Sequence, residues 1–98
     1  MRPRRRRTPP LLNIIGLECK VVLHSDPSLV GVEGVIIDET KNTIRVLDKS
    51  SRRVKTILKK DGLFLIKLPS GREVYISGEE LVGTLPERVR RRVRRVWM

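Results

Sequence analysis

Six short segments rich in valine, isoleucine and leucine follow one another through the middle of the chain, each separated from the next by a turn sequence. Asp26-Pro27 and Asp61-Gly62 are typical of such turns, and the glycines at 31 and 34 indicate a sharp bend or a bulge. A flat sheet of six strands would expose its edges and leave half of its apolar side chains unburied, whereas a strongly bent sheet solves both problems. We therefore predict an all-β fold, a small, closed, twisted antiparallel barrel of about six strands. The strands are expected at residues 18–23, 32–40, 43–48, 53–58, 63–68 and 73–77.

The best-defined local element is a hairpin around Lys41-Asn42. This dipeptide separates the second segment from the third and predicts a tight turn, with residues 35–37 paired against residues 43–47. Short polar side chains surround the turn, among them Asp38, Glu39 and Thr40, and such side chains bind the backbone and fix the strand register. We assign them a structural role first.

The two ends of the chain carry nearly all of its excess positive charge. The net charge is +11; residues 1–10 contain five arginines and no acid, and residues 86–98 contain six arginines and one glutamate, which leaves +1 for residues 11–85. We predict a disordered basic tail at 1–10, the barrel at 11–85 and a basic helical tail at 86–98. Arginine-rich ends of this kind indicate a polyanionic partner, and nucleic acid is the obvious one. The apolar stripe of the C-terminal helix would consist of Val89, Val93, Val96 and Trp97.

A short apolar segment, residues 11–17, precedes the first strand. Its apolar residues can cover one side of a helix that Gly16 would end, which predicts a short N-terminal helix capping the barrel. The segment is too short, and lacks the cleavage site, for a signal peptide, and no stretch approaches the roughly 20 apolar residues of a membrane-spanning helix. The single cysteine, Cys19, has no partner for a disulfide or a metal site, which fits a reducing, cytoplasmic location.

No constellation of catalytic residues is visible. His24 is the only histidine, no serine or cysteine lies near a plausible base, and no glycine-rich phosphate loop precedes a helix. Asp38 and Glu39 are neighbours on a strand and point to opposite faces, so they cannot act as a pair. We expect His24 to be a solvated loop residue, Cys19 to be a small core residue, and the chain not to be an enzyme by itself.

A second accumulation of positive charge lies within the barrel. Six lysines and arginines occur between Lys49 and Lys60 without an acid, and in strand geometry Arg53 and Lys55 share one face, which predicts a patch suited to phosphates. The alternative is an ordinary solvated surface. Three aromatic residues are too few for a base-stacking platform, so recognition through RNA shape and backbone is favoured. The candidate RNA-binding residues are Arg4, Arg5, Arg6, Arg7, Lys41, Arg45, Arg52, Arg53, Lys55, Lys59, Lys60, Arg91 and Arg92.

Several segments resemble one known family in their order along the chain. At residues 25–43, a Gly-x-x-Gly bend runs into Asp-Glu-Thr-x-Asn-Thr, and this stretch closely resembles the archaeal and eukaryotic ribonuclease P protein component that has an Sm-like barrel. The resemblance covers about residues 10–92. The later segments that fit the same order are residues 54–60, Phe64, residues 68–71, Gly78 and residues 81–83.

This resemblance implies an Sm-like barrel with a short leading helix and with terminal extensions that become ordered on RNA. Members of the family do not cut: a catalytic RNA with Mg²⁺ removes the 5′ leader from precursor tRNA, and this chain would bind no cofactor itself. Its implied partners are that RNA, precursor tRNA, a zinc-ribbon protein subunit and other subunits. The arginine-dense ends depart from the family pattern, so no residue role is carried over there. The implied interface with the zinc-ribbon subunit consists of Leu11, Leu12, Ile14, Ile15, Val32, Val35 and Ile37.

Two other functions stay open at this point. A ribosomal or translation-associated protein with an SH3-like barrel would share the glycine bends and basic tails, but not the Asp-Glu-Thr-x-Asn-Thr segment. An Sm-type RNA chaperone would assemble into a ring, so a stable hexamer or heptamer of the pure protein would identify it.

Overall fold

A computed structural model of the protein describes residues 13–84 and 86–88. The predicted basic tail at 1–10, Leu11, Leu12 and the part of the predicted C-terminal helix beyond residue 88 lie outside the described residues. The helical stripe predicted for that tail, and the RNA contacts predicted for the arginines of both tails, therefore stay predictions.

Six strands form one antiparallel sheet in the order β4-β3-β2-β1-β5-β6. A 3-10 turn at Pro27–Leu29 follows the first strand, and a short helix, α1 (Gly78–Leu81), follows the last. The predicted all-β fold is confirmed, and the strand positions agree with the expected ones to within two residues. The strands are β1 (Glu18–His24), β2 (Glu33–Glu39), β3 (Thr43–Asp48), β4 (Val54–Leu58), β5 (Gly62–Lys67) and β6 (Glu73–Ser77).

The β2–β3 hairpin has the predicted turn and register. Val35 pairs with Leu47, and a register shift follows Ile36, where β2 bends. At the turn, the Thr43 N–H donates to Oγ1 of Thr40 at 3.0 Å, and the Thr40 N–H donates to the Thr43 carbonyl at 2.9 Å. Short polar side chains thus fix the register, as expected from their position.

The barrel is not closed by a hydrogen-bonded ladder. Within the described residues, β4 pairs only with β3 and β6 only with β5, which leaves a seam between the two edge strands. The seam narrows at one end, where Gly78 lies so close to the Lys59 carbonyl that an added Cβ would stand 1.3 Å from its oxygen. His24 adds a bridge there, because its Nε2 donates to the Leu58 carbonyl at 3.0 Å. The predicted full closure is therefore replaced by backbone packing at one end of the seam.

The core lies on the inside of the bent sheet. Along each strand, every second side chain points into it. Phe64 is its only aromatic member among the described residues. Cys19 is also buried, as predicted, and burial raises the pKa of its thiol to about 12. The buried apolar residues are Ile14, Cys19, Val21, Val32, Ile36, Ile44, Val46, Ile57, Phe64, Ile66, Ile76 and Leu81.

The described part of the predicted N-terminal helix, residues 13–17, forms a turn. Gly16 has a φ of +94°, which other residues rarely adopt, and its N–H donates to the Ile36 carbonyl at 2.7 Å. Residues 16 and 17 therefore bond to β2 on the side where β1 pairs with it, and they do not form a helix. The turn directs Ile14 into the core, where it is fully buried.

Candidate RNA and protein interfaces

A buried ionic network contains one of the predicted RNA-binding residues. Lys59 is fully buried; its Nζ lies 2.9 Å from Oε1 of Glu39 and donates to the carbonyl oxygens of Thr40 at 2.7 Å and Gly83 at 3.1 Å. The prediction that Lys59 binds RNA is wrong, because an ammonium group enclosed by these acceptors has no access to a phosphate. Its role is structural.

Arg88 completes this network from the segment that follows α1. The guanidinium group is fully buried, and Nη1 and Nη2 lie 3.1 Å and 3.3 Å from the two carboxylate oxygens of Glu39. Nη1 also donates to the carbonyl oxygens of Leu81 at 2.9 Å and Gly83 at 2.8 Å. Two cations thus share one carboxylate, with backbone carbonyls as further acceptors. Sequence alone groups Arg88 with the basic tail and does not reveal this role.

The basic side chains of β4 were expected on the outer face of the sheet. In the structure, the positions of Lys55 and Lys59 face inward. Ile57 is buried in the core, so Lys55 and Lys59, two residues to either side, also point inward. The outward positions are apolar or neutral instead, at Val54, Thr56 and Leu58, and all three are exposed. Lys55 is only half-buried, and it lies on the edge strand beside the open seam.

The turn between β3 and β4 presents two arginines to solvent. Asp48 organises it: its carboxylate accepts from the Ser51 hydroxyl at 3.0 Å and from the Ser50 N–H and hydroxyl, both at 3.3 Å. These bonds, the Ser51 hydroxyl first, lower the pKa of the Asp48 carboxyl despite the opposing effect of burial, and the charge of Lys55 adds to the shift. Arg52 has a φ of 61° and is exposed with its neighbour at 53.

Several cations lie on β4 and in the turns at its two ends. We name Arg52, Arg53, Lys55 and Lys60 the β4 basic patch; all but the half-buried Lys55 are exposed. Lys49 lies beside them and forms a surface ion pair with Glu33 at 3.8 Å. Four of the predicted RNA-binding residues thus lie on β4 or next to its two ends.

Two further predicted RNA-binding residues lie apart from the β4 basic patch. Lys41 is exposed in the β2–β3 turn, and Arg45 is exposed on the outer face of β3, paired across the sheet with Asp38 and Thr56. Tyr75 is the largest exposed apolar side chain of the described residues, at 64% exposure on β6. These positions form no aromatic platform.

An apolar row runs across the outer side of β2, β3 and β4. Val35, Leu47 and Val54 are cross-strand neighbours in one row, and each is about 40% exposed. Ile37 extends the row along β2, and Ile15 is exposed in the turn that joins β2. We name these five residues the outer apolar face. Contiguous exposed apolar residues of this kind mark interaction sites.

The outer apolar face agrees only in part with the interface implied by the resemblance. Ile15, Val35 and Ile37 are exposed, but Ile14 and Val32 are core residues, so their predicted contact with a partner protein is wrong in this fold. Leu47 and Val54 were missed, because the exposed side of β3 and β4 cannot be chosen without the sheet order. A groove of about 360 Å³ adjoins this face; it is lined by Glu18, Glu33, Gly34, Val35, Leu47, Asp48, Lys49 and Arg52.

His24 has a defined structural position instead of the solvated one that was predicted. Its Nδ1 accepts from the Asp26 N–H at 3.0 Å, and its Nε2 donates to the Leu58 carbonyl. Asp26 in turn caps the following 3-10 turn by accepting from the Ser28 N–H and hydroxyl. The imidazole therefore holds the end of β1 against β4.

Neither a cluster of potential metal ligands nor a membrane-spanning helix occurs among the described residues. No group of three or more histidine, cysteine, aspartate and glutamate side chains is placed there to hold a metal ion. The same residues contain no helix long and apolar enough to span a membrane.

The family model and the similar proteins of known sequence point to the same family. A family model described as ribonuclease P/MRP, subunit p29, matches residues 11–91. Ribonuclease P protein component 1 of Hyperthermus butylicus is 44% identical over 79 residues, which are 81% of this chain and 70% of that protein. The component of the same name from Thermofilum pendens is 45% identical over 80 residues, 82% of this chain and 84% of that protein.

A solved structure supports the same assignment at the level of the fold. The protein Mth11, described as a homologue of the human RNase P protein Rpp29, superposes with a TM-score of 0.58 at 30% identity, over 78% of this chain and 96% of that one. Sequence and fold therefore agree, and the chain belongs to the ribonuclease P/MRP subunit p29 family.

Proposed function

We propose that this chain is a protein subunit of ribonuclease P that binds and stabilises the RNA which removes 5′ leaders from precursor tRNA. The observation that carries the proposal is the family match over residues 11–91, since the relatives described above are ribonuclease P protein components. The site of action would be the cytoplasm, where precursor tRNA and the other subunits meet the chain.

The proposal assigns bond cleavage to the RNA and its Mg²⁺, with no cofactor held by this chain. Three groups that could serve in catalysis are engaged in structural roles. Both ring nitrogens of His24 are hydrogen-bonded to backbone groups, the Cys19 thiol is buried with its pKa raised to about 12, and Glu39 is held by two buried cations. These contacts support a role in binding over one in chemistry.

RNA would be bound through its phosphates. The β4 basic patch offers exposed guanidinium and ammonium groups, and Lys41 and Arg45 offer two more on neighbouring parts of the surface. Each phosphate neutralised releases counterions, so affinity should fall steeply with salt. In the same proposal the tails contribute Arg4, Arg5, Arg6, Arg7, Arg91 and Arg92.

The outer apolar face would bind a protein subunit. Four large apolar side chains exposed on adjacent strands, with Ile15 in the neighbouring turn, are more typical of a protein interface than of a phosphate-binding surface. We assign this face to the zinc-ribbon subunit that the family resemblance implies, with Leu47 and Val54 added to Ile15, Val35 and Ile37. Ile14 and Val32 support the face from the core.

Reconstitution tests the proposed function. RNA that co-purifies with the tagged full-length chain should, when refolded with Mg²⁺ and the protein subunits, release the 5′ leader from precursor tRNA. Omission of this chain should reduce cleavage, and omission of the RNA should abolish it. Recovery of ribosomal RNA alone, or leader cleavage by the chain without RNA, would contradict the proposal.

A further inference from the structure

One side of β4 has backbone N–H and C=O groups that pair with no strand of the described residues. The Lys59 N–H donates to the Asn42 carbonyl at 2.8 Å, and the Asp48 N–H donates to the Arg53 carbonyl at 2.9 Å. Hydrogen-bonded and non-hydrogen-bonded pairs alternate along an antiparallel ladder. The odd-numbered residues of β4 therefore bond to β3, and the backbone N–H and C=O groups that point to the free edge belong to Val54, Thr56 and Leu58.

This free edge is closed at one end and open along the rest of its length. The Leu58 carbonyl accepts from His24, and the backbone of Lys59 packs against Gly78. Within the described residues no strand pairs with this side of β4, so the N–H groups of Val54 and Thr56 face the open part of the seam. Both residues are exposed.

The charged residues of β4 and of the turn before it are all basic, whereas exposed acids stand beyond its closed end, at Asp61 and at Glu79 next to Gly78. Arg52 and Arg53 lie at its beginning, Lys60 lies just beyond its end, and Lys55 stands half-buried between them. No acid occurs from residue 49 to residue 60, and the carboxylate of Asp48 is buried and bonded to the two serines of the turn. An anion at the edge would therefore meet both N–H donors and cations.

We propose that the free edge of β4 binds the phosphodiester backbone of a single-stranded RNA segment through main-chain N–H groups. Alternate N–H groups on a strand are about 6.8 Å apart, a step comparable to that between neighbouring phosphates of an extended strand. The cations on both sides neutralise these phosphates. Such contacts carry no base information, so the site accepts any sequence. This inference rests on the proposed RNA-binding function and assigns it a site.

A β-strand of a partner protein is the competing occupant. Lysine and arginine along an edge strand are a common protection against pairing with other strands, and four of them at this edge disfavour any strand that is not acidic. Phosphate oxygens accept hydrogen bonds from the same N–H groups and are attracted by the cations. The charge of the edge thus favours RNA over protein.

Proline at position 56 removes one edge donor and leaves the ladder to β3 intact. Proline is tolerated on an edge strand when its missing N–H faced solvent, so Thr56→Pro is expected to fold. Thr56→Ala is the matched control, because it removes the side chain and keeps the N–H. With a uridine oligonucleotide as the probe, Thr56→Pro should bind about tenfold more weakly than Thr56→Ala, the effect of one hydrogen bond to a charged group. Equal affinity of the two folded variants would overturn the proposal.

Amide hydrogen exchange on the unaltered chain gives a test that does not depend on the proline variant. The Val54 and Thr56 amides should exchange quickly in the free protein and slowly with the oligonucleotide bound, and equally so for uridine and adenosine homopolymers. RNA binding without protection of these amides would overturn the site and leave the proposed function standing. Protection by the zinc-ribbon subunit alone would assign the edge to protein. Failure of the unaltered chain to bind any RNA would instead remove the proposed function.

Discussion

The guanidinium group of Arg88 lies 3.1 Å from the carboxylate of Glu39, although the two residues are 49 positions apart in the chain. Lys59 lies 2.9 Å from the same carboxylate. The contact ties the segment after α1 to the ends of β2 and β4, next to the narrow end of the seam. The described start of the C-terminal segment therefore shares a buried ionic centre with the barrel, which has consequences for stability.

Glu39→Gln should destabilise the fold strongly. The substitution leaves two buried cations without their shared negative charge, and breaking a buried ion pair in this way costs about 3–5 kcal/mol. Urea unfolding at neutral pH measures the loss. The exposed pair between Lys49 and Glu33, at 3.8 Å, supplies the control: Glu33→Gln should change stability by less than about 1 kcal/mol. Equal stabilities of the two variants would show that the buried network contributes nothing.

Asp48 should make the stability of the β3–β4 turn depend on pH. Its pKa is lowered, chiefly by the Ser51 hydroxyl, so the stability it contributes is fully present above the ordinary carboxyl pKa and is lost as the pH falls through the lower folded-state value. Unfolding midpoints should decline below about pH 4. Asp48→Asn should flatten this decline without abolishing it, because the pKa of Asp26 is also lowered, by Ser28. An unchanged pH profile in Asp48→Asn would contradict the assignment.

Cys19 should report unfolding through its reactivity. It is the only cysteine, it is buried, and its pKa of about 12 keeps the thiol protonated at pH 8. A disulfide reagent should therefore label the native protein slowly, at a rate that rises with added guanidinium in step with the unfolding transition. Fast labelling in the absence of denaturant would mean that β1 is open in the native state.

The strands were predictable from the sequence because their signals are local. The β2–β3 hairpin needs only alternating apolar residues, a two-residue turn and short polar side chains around it, all within about ten positions. The N-terminal turn shows the limit of such reasoning. Apolar spacing over residues 11–17 fits one side of a helix, but Gly16 takes a positive φ and bonds to Ile36, a partner 20 positions away in sequence.

Which side chains of β4 face the core was not predictable from the strand alone. Basic and apolar residues alternate there, and a lysine is normally placed outside. Lys59 is inside because Glu39, whose carboxylate also binds Arg88, supplies the negative charge and backbone carbonyls accept from its ammonium group. Those partners lie on other elements and become neighbours only after folding. The same inversion exposes Val54, which the sequence would have placed in the core.

The β4 basic patch should be responsible for part of the salt dependence of RNA binding. Replacing Arg52, Arg53 and Lys60 by alanine removes three exposed cations, so affinity should fall and the slope of log affinity against log salt should become flatter by two to three. Melting should be nearly unchanged, since all three side chains are exposed. The control removes the same formal charge elsewhere and consists of alanine at Lys20, Lys67 and Arg72. Equal losses in both variants would indicate non-specific attraction without a patch.

The outer apolar face should fail to bind its protein partner when a charge is placed at its centre. Leu47 lies between Val35 and Val54 and is 41% exposed, so Leu47→Glu is expected to fold while a buried carboxylate at the interface costs more than about 2 kcal/mol of binding. Titration calorimetry with the zinc-ribbon subunit should show at least a thirtyfold loss of affinity.

The matched control for this prediction is Leu23→Glu. Leu23 is 60% exposed on β1, away from the row formed by β2, β3 and β4, and the substitution adds the same charge to a similar side chain. It should leave the affinity for the subunit within about threefold of the unaltered chain, because an exposed position outside an interface contributes little. If Leu23→Glu abolishes binding and Leu47→Glu does not, the partner binds the β1 side of the barrel, and the apolar row on β2, β3 and β4 needs another occupant. RNA affinity, measured on both variants, should fall only as far as one added negative charge requires, since neither leucine belongs to the β4 basic patch.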